Sequence, residues 1–275
     1  MDPETISPEP FLTIKRTKIS ADAINPFVSF AMPAYNEESN IERTVGECVK
    51  AFDESGISND PGNPGNSGWG EIVVTNDCSK DSTGAILEKL QGQHRNLTIV
   101  THVERNLGYG RALGDAIRAS RGSWVATIDS DGQFDPTNLG EMILKIRDDI
   151  DCVAGYRMKK KDSPLRVIAD RGLNFIVRTL FGISHRDTNC AFKLVRGNII
   201  RNLNIETNGF QTPSEIVLKL HAMGKNMVEC GVIHRERGEG KSKLKVIKTS
   251  IDFLRFLFYL KNKIGLYKAR ILSKL

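Results

Sequence analysis

Two aspartates one residue apart, Asp129 and Asp131, follow the apolar run at 124–128 and precede Gly132-Gln133. Carboxylates at i and i+2 beside a turn can converge on one divalent cation, and hard oxygen donors favour magnesium or manganese over zinc. Such an ion bridges diphosphate oxygens and stabilises a departing nucleotide. Two more polar clusters stand in equivalent places. Pro33-Ala34-Tyr35-Asn36-Glu37-Glu38 follows the apolar run at 27–32, and Asn76-Asp77-Cys78-Ser79-Lys80-Asp81-Ser82-Thr83 follows that at 71–75. A lone D-x-D is a weak signal, because most are solvated turns. Three polar clusters, each at the end of an apolar run, make a stronger one.

The elements that must position these clusters alternate. Short apolar runs at 27–32, 71–75, 97–103 and 124–128 have strand length, the first being ended by Pro33. Helical patterns fall between them at 39–52, 82–90 and 111–119, and the Gly/Pro/Asn-rich stretch at 60–70 reads as an exposed loop. Alternation of this kind predicts an α/β fold with a mainly parallel sheet flanked by helices. Ligands then collect beyond the carboxyl ends of the strands, where the three clusters lie. Gly108-Tyr109-Gly110-Arg111-Ala112-Leu113-Gly114 spaces its last glycine one residue too far for a dinucleotide fingerprint. It reads as close packing and backbone approach, which excludes a dehydrogenase.

The P-A-Y-N-E string, the Asn76-Asp77-Cys78-Ser79 turn and the D-x-D-G-Q string together resemble family 2 glycosyltransferases of the GT-A, Rossmann-like fold. Downstream, Ala154-Gly155-Tyr156-Arg157, Leu165-Arg166 through Asn174, Asp187-Thr188-Asn189-Cys190-Ala191-Phe192-Lys193 and Arg237-Gly238-Glu239-Gly240-Lys241-Ser242-Lys243 resemble the dolichol-phosphate mannose synthase and polyprenyl-phosphate glycosyltransferase branch. The resemblance covers roughly residues 27–260. It implies that Pro33, Tyr35, Glu37, Val74 and Asn76 hold the base and ribose. Asp129, Asp131 and Gln133 would hold the diphosphate through Mg2+ or Mn2+. Arg157 and Arg166 would grip the acceptor phosphate, and Arg237, with Lys243 nearby, the donor diphosphate. Guanidinium forks suit phosphate oxygens.

Three departures from that pattern carry information. Asn76 stands where the family usually has Asp. An amide offers one acceptor and one donor, which suits uracil better than guanine and leans the donor toward UDP. Asp170 stands where the branch often has Ser, and a carboxylate repels an acceptor phosphate. Finally, Asn189-Cys190-Ala191-Phe192-Lys193 replaces the commoner S-G-F-R.

Function follows as an expectation: an inverting transfer of a hexose, mannose or glucose in type, from UDP or GDP to a polyprenyl or dolichyl phosphate. A phosphate nucleophile has a second pKa of about 6 and needs no strong base. Two other readings stand beside it. One is a soluble family member extending a saccharide hydroxyl, with Asp187 as the base and Glu215 second. The other is a non-catalytic nucleotide-sugar-binding protein.

Length and charge divide the 275 residues into an N-terminal arm (1–26), a catalytic domain (27–243, with its nucleotide-sugar half at 27–133 and its acceptor half at 134–243) and a tail (244–275). From Lys241 onward ten Lys/Arg face one acid, Asp252, in a chain of net charge +6, so the body is mildly acidic and the tail is basic. With no nucleic-acid motif elsewhere, the tail points to a membrane surface. Ile247, Ile251, Leu254 and Phe258 mark an amphipathic stripe there, widened by Phe253, Leu257 and Leu260. No apolar run reaches the roughly 18–20 residues of a spanning helix. Five scattered cysteines with no C-x-x-C spacing argue against zinc or a disulfide framework. These features predict a peripheral protein at the cytoplasmic face, with self-association left open.

Overall fold

In the computed structural model, residues 3–9, 12–17, 25–63, 67–158, 164–236 and 246–275 are described, with side chains for 12–16, 25–63, 67–158, 172–236 and 251–275. The strands are β1 (Pro3–Glu9), β2 (Leu12–Thr17), β3 (Val28–Ala34), β4 (Gly70–Asn76), β5 (Leu97–His102), β6 (Trp124–Thr127), β7 (Cys152–Arg157), β8 (Lys193–Arg196) and β9 (Met227–Val232). The helices are α1 (Ile41–Glu54), α2 (Thr83–Gln93), α3 (Tyr109–Ala119), α4 (Leu139–Ile143), α5 (Pro164–Phe181), α6 (Gly197–Ile200), α7 (Thr212–Ala222) and α8 (Val246–Lys268). Among the described residues the strands form one sheet in the order β1-β2-β5-β4-β3-β6-β8-β7-β9.

The predicted parallel sheet is its centre. β5, β4, β3 and β6 run parallel, with Met32 opposite Val74 and Ala31 opposite Thr127. Every residue of β3 and β4 is buried, as expected of strands covered on both faces. Beyond β6 the sheet turns antiparallel through β8 and β7, and β9 returns parallel to β7. The fold is therefore α/β with a mixed sheet, its parallel register concentrated in β5, β4, β3 and β6.

β3 runs through Pro33 instead of stopping before it. The last β3–β6 pair is Ala31 with Thr127, so at Pro33 no β6 backbone remains to receive an amide proton. The Pro33 carbonyl instead accepts the Ser130 hydroxyl at 2.7 Å.

The N-terminal arm also departs from expectation. β1 and β2 form a hairpin that extends the sheet antiparallel to β5, with Leu12 opposite His102 and Lys15 opposite Ile99. Leu12 is buried and Ile14 packs against the same apolar cluster as α3, while Arg16 bonds the Ala119 carbonyl. Alternating apolar residues made it a strand, despite three nearby prolines.

One core cluster joins β3, β4 and β6 to α1 and α2, and a second joins the opposite sheet face to α3 and α7. A third is separate: Val177 of α5 and Val217 and Leu218 of α7 pack on Phe253, Leu257, Leu260 and Ile264 of α8. The tail helix is thus packed on the body through one side, with Leu254 of the expected stripe partly buried against the same cluster. The residues thought to widen the stripe point inward, whereas Ile251 and Phe258 are exposed at 46% and 59%. α8 spans most of the described part of the tail.

Candidate active site

The loops after β3 and β4 are stitched into one ledge. Asn36 and Cys78 both adopt positive φ, 54° and 57°, which turns each chain sharply at its strand end. The Asn36 amide donates to Ser79 Oγ (3.1 Å), and the Lys80 amide to Asn36 Oδ1 (2.8 Å). The Glu37 amide donates to Thr83 Oγ1 (2.8 Å), and the Ser82 amide to Glu38 Oε2 (3.0 Å). Tyr35 and Glu37 stand half-buried on this ledge, and Glu37 accepts from Asn40 Nδ2. Asn76 is nearly buried, and its Oδ1 accepts the Ser79 amide at 3.1 Å. Val74 does not reach the ledge surface: its side chain has no exposure and packs in the core, so it supports the ledge from beneath.

Asp77, beside Asn76, fixes the next loop. Its carboxylate accepts the Leu107 amide (2.7 Å), the Gly108 amide (2.9 Å) and His102 Nδ1 (2.6 Å). His102 Nε2 donates to Asp115 of α3 at 2.9 Å, and Asp115 also pairs with Arg111 and Arg118. Burial alone would lower the His102 pKa, but the bonds to Asp115 and Asp77 outweigh it and raise it to about 9. An imidazolium thus joins two carboxylates from different elements. The glycines expected to allow close approach do so. A Cβ on Gly110 would overlap the Thr207 carbonyl, and one on Gly108, at φ 95°, would overlap the Asn208 carbonyl.

That loop delivers Tyr109 to the D-x-D pair. Its hydroxyl donates to Asp129 Oδ1 at 2.7 Å. Burial and the adjacent Asp129 push the Tyr109 phenol well up, so it keeps its proton and donates. Burial and then Asp131 raise the Asp129 carboxyl to about 7, against the opposing bond from Tyr109. Two carboxylates so crowded want a cation between them, and the donor set of hard oxygens fits Mg2+ or Mn2+. Among the described residues no three His, Cys, Asp or Glu side chains converge as a metal cage. Gln133, expected as a third ligand, lies on the same loop: its backbone N–H donates to Asp131 Oδ1 at 3.1 Å and its side-chain amide faces the Arg235 carbonyl. Arg235 in turn pairs with Glu47 (2.7 Å) and Asp135 (2.6 Å).

On the acceptor side, Arg157 at the end of β7 grips Asp187 through Nε (2.7 Å) and Nη2 (3.0 Å). The expected phosphate-binding arginine and the expected base are thus one ion pair, with Asp187 buried. Asn174 of α5 accepts the Thr188 amide at 3.1 Å, and the buried Lys193 ammonium donates to the Thr188 and Cys190 carbonyls. Burial lowers the Lys193 pKa.

Glu215, the second base candidate, lies in the core of α7. It is fully buried, accepts from the Glu206 and Thr207 amides and the Thr207 hydroxyl, and pairs with Lys219 at 2.7 Å. Arg166 and Asp170 lie on α5, but their side chains fall outside the described residues, as do Arg237 and Lys243 entirely.

Sequence reasoning missed Asp77, His102, Asp115 and Tyr109. The only available signal was their closeness to the three strand ends, since each finds its partner through the fold.

Comparison with known proteins agrees with this geometry. Residues 29–202 match the family model described as Glycosyl transferase family 2. The chain is 24% identical over 231 residues to an undecaprenyl-phosphate 4-deoxy-4-formamido-L-arabinose transferase of Shewanella sediminis (strain HAW-EB3), covering 83% of this chain and 66% of that protein. It is 27% identical over 252 residues to a dodecaprenyl-phosphate galacturonate synthase of Rhizobium johnstonii, covering 88% and 68%. The chain thus spans about two thirds of the length of these relatives. Among solved structures, glucosyl-3-phosphoglycerate synthase from Mycobacterium tuberculosis, in complex with Mn2+, UDP-glucose and phosphoglyceric acid, aligns with a TM-score of 0.62 at 17% identity, covering 86% of this chain and 80% of that one. At that identity the likeness speaks to the fold.

Proposed function

The chain belongs to glycosyl transferase family 2, and from that premise we propose that it transfers a sugar from a nucleotide-sugar to a polyprenyl phosphate at a membrane surface. The observation that carries this reading is the crowded Asp129–Asp131 pair at the end of β6, held by Tyr109 beside the ledge formed after β3 and β4. The relatives' names share a polyprenyl-phosphate acceptor while their sugars differ, one a pentose derivative and one a uronic acid. The acceptor class is therefore better supported than the hexose read from sequence.

Mg2+ or Mn2+ on Asp129 and Asp131 would supply positive charge to the departing diphosphate. The ledge of Tyr35, Glu37 and Asn76 orients the nucleoside. Asn76 Oδ1 is taken by the Ser79 amide, which leaves its side-chain N–H groups as donors for a base carbonyl, of uracil or of guanine alike. Arg157, oriented by Asp187, holds the acceptor phosphate, and Arg166, Arg237 and Lys243 add charge from segments outside the described side chains. Since a phosphate nucleophile is anionic near neutral pH, the work of these groups is to bring two anions together in line. Saccharide extension fits less well, because the two carboxylates considered as bases, Asp187 and Glu215, are committed to Arg157 and Lys219.

The membrane contact falls to α8. Among the described residues no helix is long and apolar enough to cross a bilayer. Its outward Ile251, Phe258 and Tyr259, beside Arg255 and Lys261, suit an in-plane contact at the cytoplasmic face.

The test is nucleotide release with Mn2+ from UDP- and GDP-sugars, with and without undecaprenyl phosphate. Release that requires the lipid and disappears in Asp131→Ala supports the proposal. Turnover indifferent to the lipid with every donor would replace it with a saccharide acceptor.

A further inference from the structure

Phe210 is exposed at 42%, an apolar ring two contacts from Asp129 through Tyr109. It is not a loose surface side chain. Its loop is fastened at both ends. On one side Glu215 accepts the Glu206 and Thr207 amides and the Thr207 hydroxyl; on the other, Thr212 Oγ1 donates to the Gly209 carbonyl at 2.7 Å. The Thr207 and Asn208 carbonyls press directly on Gly110 and Gly108, leaving no room for a side chain. A loop held this tightly keeps its aromatic ring at a fixed height.

The ring that Phe210 meets is Tyr109, with centroids 5.5 Å apart and planes inclined by 32°. The same Tyr109 carries the hydroxyl that holds Asp129. Phe210 is therefore one residue removed from a metal ligand. Its loop also leads into α7, whose Ser214 hydroxyl reaches Thr188 Oγ1 (3.2 Å) and Asn189 Oδ1 (3.3 Å) in the loop that begins with Asp187. The loop of Phe210 is thus tied to the diphosphate position at Asp129 through Tyr109, and to the acceptor side at Arg157–Asp187 through α7. One part of the reactants must pass from the first side to the second: the sugar in transit.

We infer that Phe210, backed by Tyr109, is the platform on which the transferred glycosyl ring rests, and so a residue that determines donor specificity. The inference rests on the transferase reading above. A sugar ring presents hydroxyls at its rim and C–H groups on its faces. An aromatic face covers the C–H surface without competing for the hydroxyls, and removes apolar area from water on both sides. The nucleoside diphosphate lacks the ring and gains nothing from Phe210.

That difference defines the experiment. Calorimetric titrations with Mn2+ would compare wild type, Phe210→Ala and Phe210→Trp on UDP and UDP-glucose, and on GDP and GDP-mannose. Expected for Phe210→Ala is roughly three- to tenfold weaker binding of the nucleotide-sugar, with the free diphosphate within about twofold of wild type and Phe210→Trp restoring the loss. Unchanged diphosphate binding also shows that the variant is folded. Equal weakening of both ligands, no weakening of either, or an effect confined to the KM for undecaprenyl phosphate would overturn the platform. Wild type that binds neither diphosphate would overturn the transferase reading and the platform with it.

Discussion

Tyr109 commits its single phenolic proton to Asp129, and the direction of that bond matters. A donor on one carboxylate oxygen leaves the other free to turn toward a cation and opposes the repulsion from Asp131. Groups that orient metal ligands in this way typically alter metal affinity by 10–100-fold when removed. Tyr109→Phe keeps the ring, its contact with Phe210 and the close packing at Gly110, while losing the bond. The expected result is an approximately tenfold higher Mn2+ concentration for half-maximal nucleotide release, with little change at saturating metal. An unchanged Mn2+ requirement would show that Asp129 is held by other means. The D-x-D pair was legible in the sequence because chemistry and strand position coincide within three residues. Tyr109 was not, since its partner lies 20 residues on and only the fold joins them. Asp187 and Glu215 show the converse limit: an acid can be recognised from sequence, but whether an arginine or lysine pairs with it cannot.

Between strand and helix, the strongest coupling is the buried imidazole of His102 on β5, shared by Asp77 after β4 and Asp115 on α3. The groups facing it are these two carboxylates, with Arg111 and Arg118 on the far side of Asp115. Its pKa is raised to about 9 in the fold, above the ordinary value of 6.5. Protonation therefore favours the folded state. The contribution is complete below about pH 6.5, declines above it and is lost once pH passes about 9; a shift of that size corresponds to on the order of 3 kcal/mol. Urea midpoints of the wild type should fall between pH 6.5 and 9.5, and His102→Gln should lack that slope while being less stable at pH 6.5. Parallel pH profiles for the two proteins would exclude the imidazolium as the source. Because Asp77 also holds the Leu107 and Gly108 amides, the same loss should loosen the loop that presents Tyr109. The strands and helices of this half were readable to within two or three residues, since continuous apolar runs and polar interruptions mark them. The β1–β2 hairpin was hidden by prolines that mask a short alternation. For α8 the sequence showed an apolar stripe and a widened flank, but not that the flank, through Leu257 and Leu260, is the side that meets Val177 and Leu218.

For the molecule as a whole, the sheet changes character at β6, and so does the manner of stabilisation. The parallel strands are buried between α1, α2 and α3, whereas the helices of the acceptor side share a cluster of their own, closed by α8. A polar tether reinforces that closure: Glu206 accepts from Lys219 (2.7 Å), Lys263 (2.6 Å) and Tyr259 (3.0 Å), joining α7 and α8 to the loop that carries Phe210. The two faces of α8 should then separate stability from membrane attachment. Leu257 has no exposure, and Leu257→Asp would place a charge among Val177, Leu218 and Phe253, at a cost of several kcal/mol. Amide hydrogen exchange in that variant should accelerate in α5, α7 and α8 while β3 and β4 keep their protection, because their cluster does not include Leu257. Phe258, one residue further, is 59% exposed, so Phe258→Ser should leave exchange unaltered and reduce sedimentation with anionic vesicles. Uniform acceleration across the sheet in Leu257→Asp would instead make both halves one cooperative unit, in which damage at the tail helix reaches the aspartates at β6 through global unfolding. Local acceleration leaves nucleotide binding intact while acceptor use fails. The measurement thus decides whether α8 is the element that keeps α5 and α7 assembled.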